Sequence, residues 1–164
     1  VKVLELPSVE FFGGWEYMEE YLNKKGNPLF SIKGDLNLKN TDITSLDNLV
    51  SVGGNLDFRG TPIKSLDNLV SIGGNLDLIE TPIQSLDNLV SVGGFLDLTA
   101  CQIKSLDNLV SVGGYLHLGY TNIKSLGNLK SVGGFLDLAF TPLSKKYSEK
   151  EIRHQVEVGV KIFM

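Results

Sequence analysis

From residue 41 to residue 140 the apolar positions recur with a period of 20 rather than 3.6 or 2. One period places apolar residues at Ile63, Leu66, Leu69, Ile72, Leu76 and Leu78. Five units start at Thr41, Thr61, Thr81, Cys101 and Thr121, on the pattern T-x-I-x-S-L-x-N-L-x-S-V-G-G-x-L-x-L-x-x. The decapeptide SLDNLVSVGG is unchanged at 45–54, 85–94 and 105–114. A half unit precedes them (Ile32, Gly34, Leu36, Leu38), and a partial unit follows (Val158, Gly159, Ile162, Met164). Seven Leu-x-Leu-like segments result.

Twenty residues are too few for a strand, a full helix and two connections. They suit short extended pieces joined by corners. In Leu56-Asp57-Phe58 the outer residues face one side of a strand and the middle one the other. The Gly53-Gly54 pair is expected to supply positive φ or a tight bend. One coil cannot bury its apolar residues alone, so neighbours must stack at about 4.8 Å. The fold class expected is a β-rich solenoid: a right-handed stack of 20-residue coils with parallel sheets. Asn48, Asn68, Asn88, Asn108 and Asn128 would form a ladder that binds turn backbone. Thr41, Thr61, Thr81, Thr121 and Thr141 would fill a corner column, with Cys101 as a packed substitute.

The segments L-x-L-x-x-T-x-I and S-L-x-N-L-x-S-V-G-G-x-L-x-L resemble a short leucine-rich repeat, and V-G-G-x-L-x-L is also similar to coils of receptor L domains. The resemblance covers about residues 28–140 and 156–164. It implies a scaffold whose surfaces bind other molecules. The chain departs from common leucine-rich repeats in carrying Thr where Asn often ends the strand. A pentapeptide-repeat helix does not fit, because Thr61 and Ser71 interrupt the series Leu56, Leu66, Leu76.

A stack exposes its core at both ends and needs covers. One domain is expected over 1–164: a cap at 1–27, coils at 28–140 and a second cap at 141–164. Trp15, Met18 and Leu22 share one helical face, with Gly26 as the stop. VKVLEL suits an added strand. Ser148 and Glu151 form a capping-box pattern that opens a helix over SEKEIRHQVE.

Composition narrows the function classes. The net charge is −4, which argues against nucleic acid and anionic lipid as partners. No apolar run suits a membrane span, and the start lacks a signal-peptide pattern. A lone cysteine fits a reducing cytoplasm, or the host cytoplasm if a phage encodes the chain. No nucleotide loop, zinc spacing or nucleophile elbow is present, so no enzyme, cofactor or metal site is expected.

Information then lies where the copies differ. The slot before Leu-x-Leu reads Asp35, Asn55, Asn75, Phe95, Tyr115, Phe135, and the middle slot reads Asn37, Asp57, Asp77, Asp97, His117, Asp137. Both point outward by alternation. Tyr120 and Phe140 close the same strands. Phe95, Tyr115, Phe135, His117, Asp97, Asp137, Tyr120 and Phe140 are therefore the expected partner-binding residues, with aromatics as anchors. The reading is a non-enzymatic protein-binding module, an inhibitor or adaptor of bacterial or phage origin. Two alternatives stand beside it. One is a carbohydrate-binding or hydrolytic protein that uses the Asp/His column. The other is a structural homo-oligomer, joined through Val50, Val70, Val90 and Val110, a column that ends in Lys130.

Overall fold

The computed structural model describes residues 2–164. The chain is a parallel β-solenoid of 20-residue coils between two caps. Each coil contributes one strand to each of two sheets. The back sheet has eight strands: Leu4–Leu6, Phe30–Ile32, Leu49–Val52, Ser71–Ile72, Ser91–Val92, Ser111–Val112, Ser131–Val132 and Glu157–Val158. The front sheet has seven, from Leu36–Asn37 through the Leu-x-Leu segments to Ile162–Phe163. The step between partners is 20 residues through the repeats, so Leu116 pairs with Leu96 and Leu136, and His117 with Asp97 and Asp137. VKVLEL does add a strand, pairing Leu4–Leu6 with Phe30–Ile32.

The leucine, isoleucine and valine slots of every coil merge into one core. The third side, which carries Thr-x-Ile-x-Ser, is extended but pairs as no strand. Pro62 and Pro82 lie there, and a proline has no N–H for a ladder.

The glycine pair forms a bend, the second of the two expected conformations, at each coil from Gly53-Gly54 to Gly133-Gly134. None of these pairs has positive φ. A Cβ on Gly73, Gly93 or Gly113 would instead run into the carbonyl oxygen of the glycine one coil below. The absent side chain lets coils approach. The positive-φ positions lie elsewhere, two per coil in the repeats. Asp47, Asp67, Asp87, Asp107 and Gly127 share one, at φ 48–55°. Asn40, Gly60, Glu80, Ala100, Tyr120 and Phe140 share the other.

Side chains stitch successive coils together. Asn68, Asn88, Asn108 and Asn128 each donate to the carbonyl of an aspartate one coil below. The ladder is thus to backbone, as expected, although these four side chains lie at the surface. Thr61, Thr81, Thr121 and Thr141 are buried, and each hydroxyl donates to the carbonyl three residues earlier. Thr41, at the first coil, is exposed. Cys101 is buried, and its thiol donates to the Leu78 carbonyl. Burial pushes that thiol's pKa up, which keeps it protonated.

Helix α1 (Trp15–Lys24) covers the first coil with buried Met18 and Leu22, and Gly26 follows it at φ 81°. At the far end α2 (Pro142–Lys146) precedes α3 (Glu149–Gln155). The Ser148–Glu151 capping box forms in full. Helix α2 was not expected from the pattern. Its signal was Thr141-Pro142, since Thr141 accepts the Ser144 N–H and proline takes the first turn. No helix among the described residues is long and apolar enough to cross a membrane.

Candidate functional site: the outward face of the front sheet

The two halves of this face are built from different chemistry. In the N-terminal half, polar side chains in the slot before Leu-x-Leu bond to the backbone one coil up. The Asp35 carboxylate accepts the Asn55 N–H, the Asn55 amide oxygen accepts the Asn75 N–H, and the Asn75 oxygen accepts the Phe95 N–H. Ion pairs close the next column. Arg59 reaches Asp57 at 2.5 Å and Asp77 at 3.2 Å. Hydrogen bonding to Arg59 holds the Asp57 carboxyl below its usual range, while burial pushes Asp77 up.

The aspartate column has a local task. Asp57, Asp77, Asp97 and Asp137 each accept the N–H two residues on, at Arg59, Ile79, Thr99 and Ala139. Asn37 does the same for Lys39. This Asx geometry favours a short acceptor side chain and turns the strand end. His117 breaks the series. Its Nδ1 lies 3.9 Å from Asp137 Oδ2, too far for a hydrogen bond. Among the described residues no group of three or more His, Cys, Asp or Glu could hold a metal ion.

The C-terminal half is aromatic. Tyr115 and Phe135 stack with centroids 4.2 Å apart and planes 12° apart. Tyr120 and Phe140 stack at 4.6 Å and 17°. His117 stands edge-on to Phe135 at 5.1 Å, between the two stacks along the strand. Rings lying flat on the sheet could not approach so closely at neighbouring levels. They stand face to face, so each stack turns ring edges outward. Phe95 differs from the expected stack: it is half-buried and enters no ring pair among the described residues. Phe163 was missed. It pairs in register with Asp137, packs edge-on to Phe135 at 5.3 Å, and carries the Lys161 ammonium over its ring at 4.8 Å. The alignment of Ile162 and Met164 with Leu136 and Leu138 held the signal, because it puts Phe163 in the outward slot.

Tyr120 and Phe140 are 63% and 68% exposed, yet their backbones sit at φ 59° and 60°. That region suits Gly, Asn and Asp, and costs a bulky side chain about 1–2 kcal/mol. Glu80 and Ala100 hold the same slot at φ 55° and 60°, so the conformation belongs to the coil, and the two rings pack on each other. The valine column lies on another side of the coil, where Val70, Val90 and Val110 are exposed and Val50 is half-buried.

No family model, no curated protein and no solved structure matches this chain.

Proposed function

We propose that the chain is a non-enzymatic protein-binding module. Its partner docks on the C-terminal half of the front face. Tyr115, Phe135, Tyr120, Phe140 and Phe163 supply apolar anchors, and His117, Asp97 and Asp137 supply polar contacts around them. The observation that carries this reading is the Tyr120–Phe140 stack, exposed and held in an unfavourable backbone region. Glu80 and Ala100 share that backbone region, so the choice of two exposed aromatics in it, rather than the strain itself, supports an interface. Exposed aromatics are also the commonest binding hot spots. The leucine-rich-repeat resemblance supports the same kind of use, since such scaffolds present a strand face to partners. The carbohydrate alternative draws less support. Sugars pack on open ring faces, whereas these stacks turn their edges outward. An inhibitory or adaptor role in a bacterial or phage setting fits a rigid face that presents aromatic anchors.

The test uses Tyr120→Asn with Phe140→Asn, because Asn40 already occupies this slot in the first coil. The double variant is expected to lose capture of its protein partner from native cytosol, while melting at or above the parent's temperature. Undiminished capture by this stable variant would sink the proposed face.

A further inference from the structure

We propose that the chain also forms an antiparallel two-fold dimer through the side that carries the valine stripe. This surface is separate from the aromatic face and does not depend on it.

The stripe is a regular ridge. The N–H groups of Val70, Val90, Val110 and Lys130 each donate at 2.8 Å to the carbonyl of the same slot one coil below. Five levels, from Val50 to Lys130, span about 19 Å. Val70, Val90 and Val110 are 41%, 38% and 36% exposed. The column Lys64, Gln84, Lys104 and Lys124 keeps polar side chains at every level of the third side, whereas the stripe carries one cation at its last level. A shallow trough on the same sheet is lined by Ser91, Gly93, Ser111, Gly113, Ser131 and Gly133. The trough continues to Glu157 and Gly159 and does not reach the Val50 level, so a two-fold axis at Val90 lays the Val50–Val90 part of each ridge along the other copy's trough.

Charge decides the direction. Coils stack in chain order, so sequence position is also position along the rod. Residues 1–100 carry seven Lys or Arg against fourteen Asp or Glu. Residues 101–164 carry eight against five. Antiparallel copies set the acidic half of each against the basic half of the other, and parallel copies do the reverse.

The end residues repeat this logic at close range. The stripe is symmetric in level about Val90, so antiparallel pairing brings Lys130 of one copy to Val50 and Asp47 of the other. In the coils between, the aspartates are occupied. Asp67, Asp87 and Asp107 each accept the N–H of Leu46, Leu66 or Leu86 one coil below. Asp47 has no coil of that kind beneath it, and its carboxylate meets only the Ser45 hydroxyl. Lys130 enters no ion pair among the described residues. A carboxylate with no partner in another coil thus lies at the corner of the Val50 level, beside α1, and an ammonium without an ion pair at the other end of the stripe. Pro-rich or acidic partners from other proteins would need neither this spacing nor this symmetry. The face is small beside the roughly 1,200–2,000 Å² of stable specific interfaces, so a weak dimer is expected.

Sedimentation equilibrium of the full chain over a concentration series tests the idea. The parent should approach dimer mass as concentration rises. Val90→Arg puts a charged side chain into the trough of each copy, at the level of the axis, and should abolish the dimer while circular dichroism stays unchanged. Lys130→Glu and Asp47→Lys should each weaken association about tenfold, as two symmetry-related ion pairs are lost together. The double variant Lys130→Glu with Asp47→Lys should restore it. A monomer mass at every concentration overturns the proposal, as does a dimer that survives Val90→Arg. Failure of the charge swap to restore association overturns the antiparallel arrangement. Tyr120→Asn with Phe140→Asn should leave the dimer intact, which keeps this outcome distinct from that of the partner-binding test.

Discussion

At the residue scale, a repeat this regular makes each departure informative. Gly127 stands where four other coils place aspartate at positive φ. Asp67, Asp87 and Asp107 each satisfy a leucine N–H below, whereas Gly127 offers the Leu106 N–H nothing. An aspartate fits the backbone there without a clash under 3.4 Å. Gly127→Asp is therefore expected to stabilise the protein by about 1 kcal/mol, through one charge-assisted hydrogen bond and a less flexible unfolded chain. Urea denaturation measures it, and a lower midpoint would mean that the carboxylate does not reach Leu106. The aromatic slots read the other way. Tyr120 and Phe140 sit in a backbone region that disfavours large side chains, and the proposed interface would favour them.

At the element scale, the two sheets end differently. The last back-sheet strand, Glu157–Val158, is an open parallel edge, a hazard that proteins usually cover. Arg153 on α3 covers it. The guanidinium donates to the carbonyls of Val158 at 3.0 Å and Val160 at 3.2 Å, and Glu149 holds it in place. The Ser148–Glu151 box sets the start of α3, so the cap of a short helix positions the cover of a sheet. The box lowers the Glu151 pKa through its bonds to Ser148. Its support is present above the ordinary carboxylate range and is lost as pH falls below it. Arg153→Ala should fray this end first. Hydrogen exchange is expected to rise at Gly159 and Val160, whose N–H groups bond to Val132 and Gly134, and to stay unchanged at Gly93 and Gly113. Uniform exchange across all four would show that Arg153 has no local role.

At the scale of the whole molecule, stability is a sum of coils and the interfaces between them. Ser71, Ser91 and Ser111 meet their neighbours through the same register, so one coil can replace another. Deletion of residues 81–100 should give a shorter folded rod. Its denaturant m-value should fall by about an eighth, in step with the surface lost. Deletion of the C-terminal cap, residues 141–164, should instead give aggregation, because Leu138 and the Ser131–Val132 edge would face water. If the coil deletion unfolds, the coils are not interchangeable and the stack is held by its ends.

The sequence by itself determined the coil length, the inward residues, the strand before Phe30, the capping helix at each end and the outward aromatic slots. A period of 20 with one apolar pattern leaves a chain few ways to hide that surface except by stacking. The tasks of the asparagines and threonines were legible too, whereas tertiary structure alone decided how the glycines and aspartates join the coils. The glycines permit contact between coils as well as the bend, and the aspartates serve as backbone acceptors, because both tasks depend on the coil above or below. It also decided which aromatics meet. Phe95 stays apart, Phe163 joins, and Tyr120 and Phe140 carry their strain in full view of solvent. The stacked partners lie 20 residues apart and Phe163 lies 28 from Phe135, and only the register of the stack brings them into reach.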